Sequence, residues 1–194
     1  MKIFVIILLS LSLYKNISAQ ESLQIRMDKR SNNHAVFQTK MQTTLNVIRK
    51  VMEDTSAYTQ WLYACNKARL MEKISPEEWI LFFQFDVQYF VRINLFFLND
   101  PFIIAKTTLL TNEQNNELNY TIRQTENAYN LGDKSDLIEH FDISWQFSQQ
   151  DDSVAVRYEI NIEDKAPFFV RFLITDYIED SGYYTLQNLK NLVE

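Results

Sequence analysis

Apolar and polar residues alternate over much of this chain, and the places where the alternation stops divide it into elements. Between Ser22 and Lys29, Leu23, Ile25 and Met27 fall on one face and Gln24, Arg26 and Asp28 on the other. That is the period of a half-buried strand. Ser31-Asn32-Asn33 is a turn signal, and His34 to Thr43 reads as a second strand. Thr43 or Thr44 is placed to cap a short helix, Leu45 to Glu53, with Leu45, Ile48 and Met52 on one side. Ala57 to Leu62 adds a further helical turn. Strands are then expected at Tyr63 to Ile74, Glu78 to Phe90, Pro101 to Leu110 and Glu117 to Thr125. In the second of these, Trp79, Leu81, Phe83, Phe85, Val87 and Tyr89 share one face.

After a loop around Gly132 the alternation returns. Leu137, Glu139, Phe141, Ile143, Trp145 and Phe147 fall on one face of a strand. Gln149 to Ser153 is a hairpin signal, and Val154, Val156, Tyr158, Ile160 and Ile162 line the strand that follows. Beyond Pro167 the period changes, and the chain reads as one long helix to its end. Val170, Ile174, Tyr177, Ile178, Leu186, Leu189 and Val193 mark its apolar face. Gly182 lies on that face, where either a close approach or kink, or a break between two shorter helices, accounts for it. Consecutive strands joined by short turns give an antiparallel meander. The class is α+β: a curved antiparallel sheet wrapped around a long C-terminal helix.

Composition narrows the function. Lys2 followed by the apolar run Ile3 to Leu13 and the small-residue ending at Ala19 has the order of a signal peptide, too short to span a bilayer. Residues 1–19 are expected to be removed, leaving one domain over 20–194 in a bacterial periplasmic or secreted setting. Cys65 is the only cysteine, so no internal disulfide forms. Stability must come from burial, which 46% hydrophobic and 14% aromatic residues allow. The formal charge of −6 argues against a nucleic-acid partner. It also argues against electrostatic docking on anionic membranes, so any membrane contact is expected to be transient. With two glycines, the chain has no phosphate-cradling loop. His34 and His140 have no metal-ligand spacing, and no metal or cofactor is expected.

Four strings carry a resemblance. They are "LNVIRKVMEDT" from Leu45 with Tyr58 and Trp61 after it, "WLYACNKARLMEKIS" from Trp61, "FFLNDPFII" from Phe96, and the terminal "FFVRFLITDYIEDSGYYTLQNLKNLVE". Together they resemble the StAR-related lipid-transfer (START) domain, within the helix-grip group. The family carries an arginine-aspartate pair opening a strand; here Asp100 is kept and Asn99 replaces the arginine. The resemblance implies binding of a lipid or other apolar small molecule in an internal cavity, with transfer rather than catalysis as any further activity, and the protein is expected to be a monomer.

Candidate site residues follow from these patterns. Phe83, Phe85 and Trp145 supply aromatic lining, the usual wall of an apolar pocket. Ile178 and Gly182 face them from the helix, and the space is expected beside Gly182, where the helix has least bulk. Arg92 and Asp100 flank an apolar stretch, Phe90 to Leu98, that reads as a buried edge strand or as a lid. Each is a headgroup contact or a member of a surface pair. Glu139 is an anchor among aromatics or a strand-end carboxylate in water. No catalytic residue is assigned. An enzyme of cyclase or hydrolase type would need Glu139 with Arg123 or Tyr158, and a structural or protein-interaction domain would have its interior filled by the aromatics. Cys65 reads as a small buried residue, since neither histidine offers it a base.

Overall fold

The structure, a computed structural model, describes residues 24–31, 33–86, 100–125, 138–164 and 177–194. The expected signal segment 1–19, Arg92, the stretch from Phe90 to Leu98, Leu137 and the start of the last helix near Pro167 lie outside the described residues.

Eight strands form one antiparallel sheet in the order β1-β2-β8-β7-β6-β5-β4-β3. The hairpin of β1 (Arg26–Ser31) and β2 (His34–Met41) makes one edge. The chain then passes through α1 (Leu45–Glu53), a 3-10 turn (Thr55–Ala57) and α2 (Tyr58–Trp61) to the opposite edge. From there β3 (Cys65–Lys73), β4 (Glu78–Phe85), β5 (Phe102–Asn112), β6 (Glu117–Gln124), β7 (Ile138–Gln150) and β8 (Ser153–Asp164) run back as a meander until β8 pairs with β2. The last element, α3 (Tyr177–Val193), lies over β2 and β8 and against α2.

Local chemistry explains the boundaries. Thr44 caps α1, its hydroxyl accepting from the Val47 amide at 3.4 Å. Asp54 accepts from the Ser56 amide at 2.9 Å and starts the next turn. On β4 the alternation holds, with Trp79, Leu81, Phe83 and Phe85 buried. Two departures from the sequence pattern bear on the interior. Tyr63 and Ala64 precede β3 rather than begin it, because Ala64 adopts a left-handed conformation, φ 60°. On β7 the pairing slips between Ile138 and His140. This bulge places Ile138 in the core and leaves Glu139 exposed, so the face expected for Glu139 is wrong at that end of the strand.

The terminal helix runs unbroken through Gly182, so the two-helix alternative is excluded. Its buried face carries Tyr177, Ile178, Ser181, Gly182, Thr185, Leu186, Leu189 and Val193. No described helix is long and apolar enough to cross a membrane.

Candidate functional site

Strand register builds the interior. Phe37 of β2 stands opposite Tyr158 of β8, Tyr158 opposite Trp145 of β7, and Trp145 opposite Tyr120 of β6. Four large rings therefore form one row across the inner face of the sheet. Phe37 and Tyr158 stack at 5.8 Å, and Tyr158 and Trp145 at 4.1 Å. Two helices cover the row. From α2, Trp61 meets Trp145 edge-on at 5.9 Å and packs against Tyr58 at 5.0 Å. From α3, Gly182 meets the Phe37 ring so closely that a Cβ there would land inside it.

Part of the polar chemistry in this layer is closed. The Tyr58 hydroxyl donates to the Met52 carbonyl at 2.7 Å and is hydrogen-bonded to the Tyr120 hydroxyl. Thr107 donates to the Trp79 carbonyl at 3.0 Å. The Thr185 hydroxyl accepts from the Tyr63 amide at 3.1 Å. The rest is open. The indole N–H groups of Trp61, Trp79 and Trp145, the Tyr158 hydroxyl and the Gln124 side-chain oxygen are buried without a hydrogen-bond partner among the described residues. The Ser181 and Thr185 hydroxyls lie close enough to that of Tyr158 to offset part of the effect of its burial, although neither reaches good hydrogen-bond geometry. Burial pushes the Tyr158 and Tyr177 hydroxyls well above the usual phenol range, so both stay neutral.

The residues singled out in the sequence fall in different places. Phe83 packs edge-on against Tyr58 at 5.6 Å, and Phe85 against Phe141 at 5.5 Å. With Trp145 and Ile178 they are buried on the inner side. Asp100 is half-buried and accepts from the Asn66 amide group at 3.0 Å, tying the start of β5 to the edge strand. Gly182 is buried as expected, but the space beside it is taken by Phe37, which corrects the expected position of a cavity. Glu139, Arg123 and Tyr158 do not meet. Glu139 is exposed in the bulge, Arg123 is exposed beside Asp142 at 3.4 Å, and Tyr158 is inside. Cys65 is buried where β3 begins, and burial pushes its thiol up to about 12.

Trp61, Ser181, Thr185 and Gln124 were not singled out by pattern. A signal existed for two of them: Ser181 and Thr185 are polar residues four apart on the apolar face of a helix. Surface recesses formed by described residues accompany this interior, two of them large. One of about 570 Å3 lies between β3 and α3, lined by Tyr63, Cys65, Asn66, Asp86, Asp180 and Tyr184 among others. The other, of about 830 Å3, is lined mainly by outward polar side chains such as Gln38, Lys40, Gln146 and Arg157, and none of the inner aromatics reaches it. Among the described residues no group of His, Cys, Asp or Glu is placed to hold a metal.

A curved antiparallel sheet gripping one terminal helix, with an aromatic interior, defines the helix-grip class. More narrowly, the chain has the START form of that fold. A STAR-related lipid transfer protein from Xanthomonas axonopodis superposes with a TM-score of 0.66 at 15% identity, over 88% of this chain and 96% of that one. Human StAR-related lipid transfer protein 5 gives 0.65 at 7% identity, over 95% and 92%. The Zhui aromatase/cyclase from Streptomyces gives 0.59 at 11% identity, over 86% and 93%. No protein-family model and no curated protein sequence matches the chain.

Proposed function

We propose that this protein binds an apolar small molecule, a lipid in the broad sense, between the inner face of the sheet and the terminal helix. It carries or presents that molecule rather than transforming it. One observation carries the reading. Trp61, Trp145 and Tyr158 each bury a polar atom with no partner among the described residues, in rings that touch in series. A buried unpaired donor costs about 1–3 kcal/mol. Folded chains rarely leave several together unless water or a ligand completes them. Two structures that share the fold are named as lipid-transfer proteins, which supports the same reading. The separation of Glu139, Arg123 and Tyr158 favours binding over acid-base catalysis.

A second reading has its own support. Phe37 fills the space against Gly182, as it would in a domain whose interior is packed solid. Native mass spectrometry of protein purified from its own host compartment separates the two. The expected result is an added mass of a few hundred daltons that disappears after solvent extraction. A bare chain mass, together with no uptake from a total lipid extract of the host, overturns the binding reading in favour of the packed one.

A further inference from the structure

We infer that the molecule held in this interior is electrically neutral at the buried end and carries a carbonyl, ester, ether or hydroxyl oxygen there. The inference rests on the binding reading above and adds the chemistry of the buried group. The buried polar side chains of the described chain are Thr39, Thr43, Thr107, Ser181 and Thr185, with no Lys, Arg, His, Asp or Glu among them. The charged side chains that pair do so at the surface, as Lys106 with Glu78 and Arg157 with Glu159. An ionised carboxylate or phosphate drawn between sheet and helix would therefore meet no buried counter-charge among the described residues, and an unpaired buried ion is strongly disfavoured. What the described part of the interior offers is neutral. An indole N–H only donates, so Trp61 and Trp145 call for an acceptor atom on the ligand. The Tyr158 hydroxyl both donates and accepts, and Ser181 and Thr185 stand beside it. Its ring is fixed by stacking between Phe37 and Trp145, so the hydroxyl is held in place before anything binds.

The test uses two probes with the same conjugated chain, cis-parinaryl alcohol and cis-parinaric acid, titrated into the full-length folded protein at pH 8 and followed by polyene fluorescence. The alcohol is expected to bind tighter than the ionised acid by about tenfold or more. The difference should shrink as the pH falls and the acid protonates. Tyr158→Phe, which keeps the ring and removes the hydroxyl, should weaken the alcohol by roughly tenfold. Its urea midpoint without ligand should hold or rise, because an unpaired buried hydroxyl has gone. Equal affinities for acid and alcohol at pH 8, or an unchanged alcohol affinity in Tyr158→Phe, overturn the inference and leave the binding reading standing. Saturable binding of neither probe overturns both.

Discussion

Gly182 and Phe37 are best understood as one contact. The ring is buried and stacked on Tyr158, so it has little freedom to swing away from the helix. Replacing Gly182 by alanine improves intrinsic helix propensity by about 1 kcal/mol, but it drives a Cβ into that ring. Overpacking of this kind costs about 1–3 kcal/mol, and after the gain in propensity Gly182→Ala is expected to lose up to about 2 kcal/mol of stability in urea unfolding. Phe37→Leu removes the ring. In that background the same Gly182→Ala change should be neutral or stabilising, a double-mutant cycle that isolates the contact. A stabilised single variant would show that helix and ring do not press together. Cys65 offers a milder case. Its thiol is held protonated by burial and leans on the Lys67 carbonyl at 3.4 Å. It should react with a disulfide reagent slowly in the folded protein at pH 8 and rapidly in urea, and Cys65→Ala should cost about 1 kcal/mol or less.

At the scale of elements, the start of β7 decides which residue belongs to the core. Ile138 is buried and its neighbour Glu139 is exposed, because the strand carries an extra residue opposite β8. Ile138→Ala is expected to destabilise by about 2–5 kcal/mol. Glu139→Ala should stay within about 0.5 kcal/mol and leave ligand binding unchanged. Chemical unfolding of the two variants reads both values, and a costly Glu139→Ala would restore the unbulged register. The same strand shows what a sequence can and cannot reveal. The bounds of α1 were legible because Thr44 has a capping side chain and Ile48 and Met52 keep helical spacing. The faces of β4 and β8 were legible because their alternation is uninterrupted. The bulge was not, since an inserted residue has no type of its own. Neither was the left-handed turn at Ala64, which alanine does not mark as glycine would. The aromatic row was hidden for another reason. Phe37, Tyr158, Trp145 and Tyr120 lie on four strands, and only pairing register brings them opposite one another. Alternation assigns each residue a face but not its neighbours across the sheet.

The whole molecule concentrates hydroxyls where water is scarce, and this sets an alkaline limit to its stability. Burial pushes the phenols of Tyr58, Tyr120, Tyr158 and Tyr177 above their ordinary value, and the Cys65 thiol to about 12. In the unfolded chain these groups ionise near their ordinary values, roughly 8.5 for the thiol and 10 for the phenols. A group whose pKa is raised by folding contributes stability that is fully present below its unfolded pKa. That contribution is lost as the pH climbs above it, because the unfolded state releases a proton that the folded state retains. Stability should therefore begin to fall above about pH 8.5 through Cys65, and fall steeply above about pH 10, when the phenols add about 1.4 kcal/mol each per pH unit. Absorbance at 295 nm follows the ionisation of the tyrosines. The four buried ones should ionise together with the loss of far-ultraviolet circular dichroism. Tyr158→Phe should shift that unfolding to higher pH. The measurement also bears on function, because it reports how wet the interior is. If the buried tyrosines ionise near pH 10 while the secondary structure remains, solvent already reaches the row between sheet and helix. Water would then be the partner of the open hydroxyl and indole groups. If they ionise only on unfolding, that row is dry, and a ligand entering it must bring its own hydrogen-bonding oxygen.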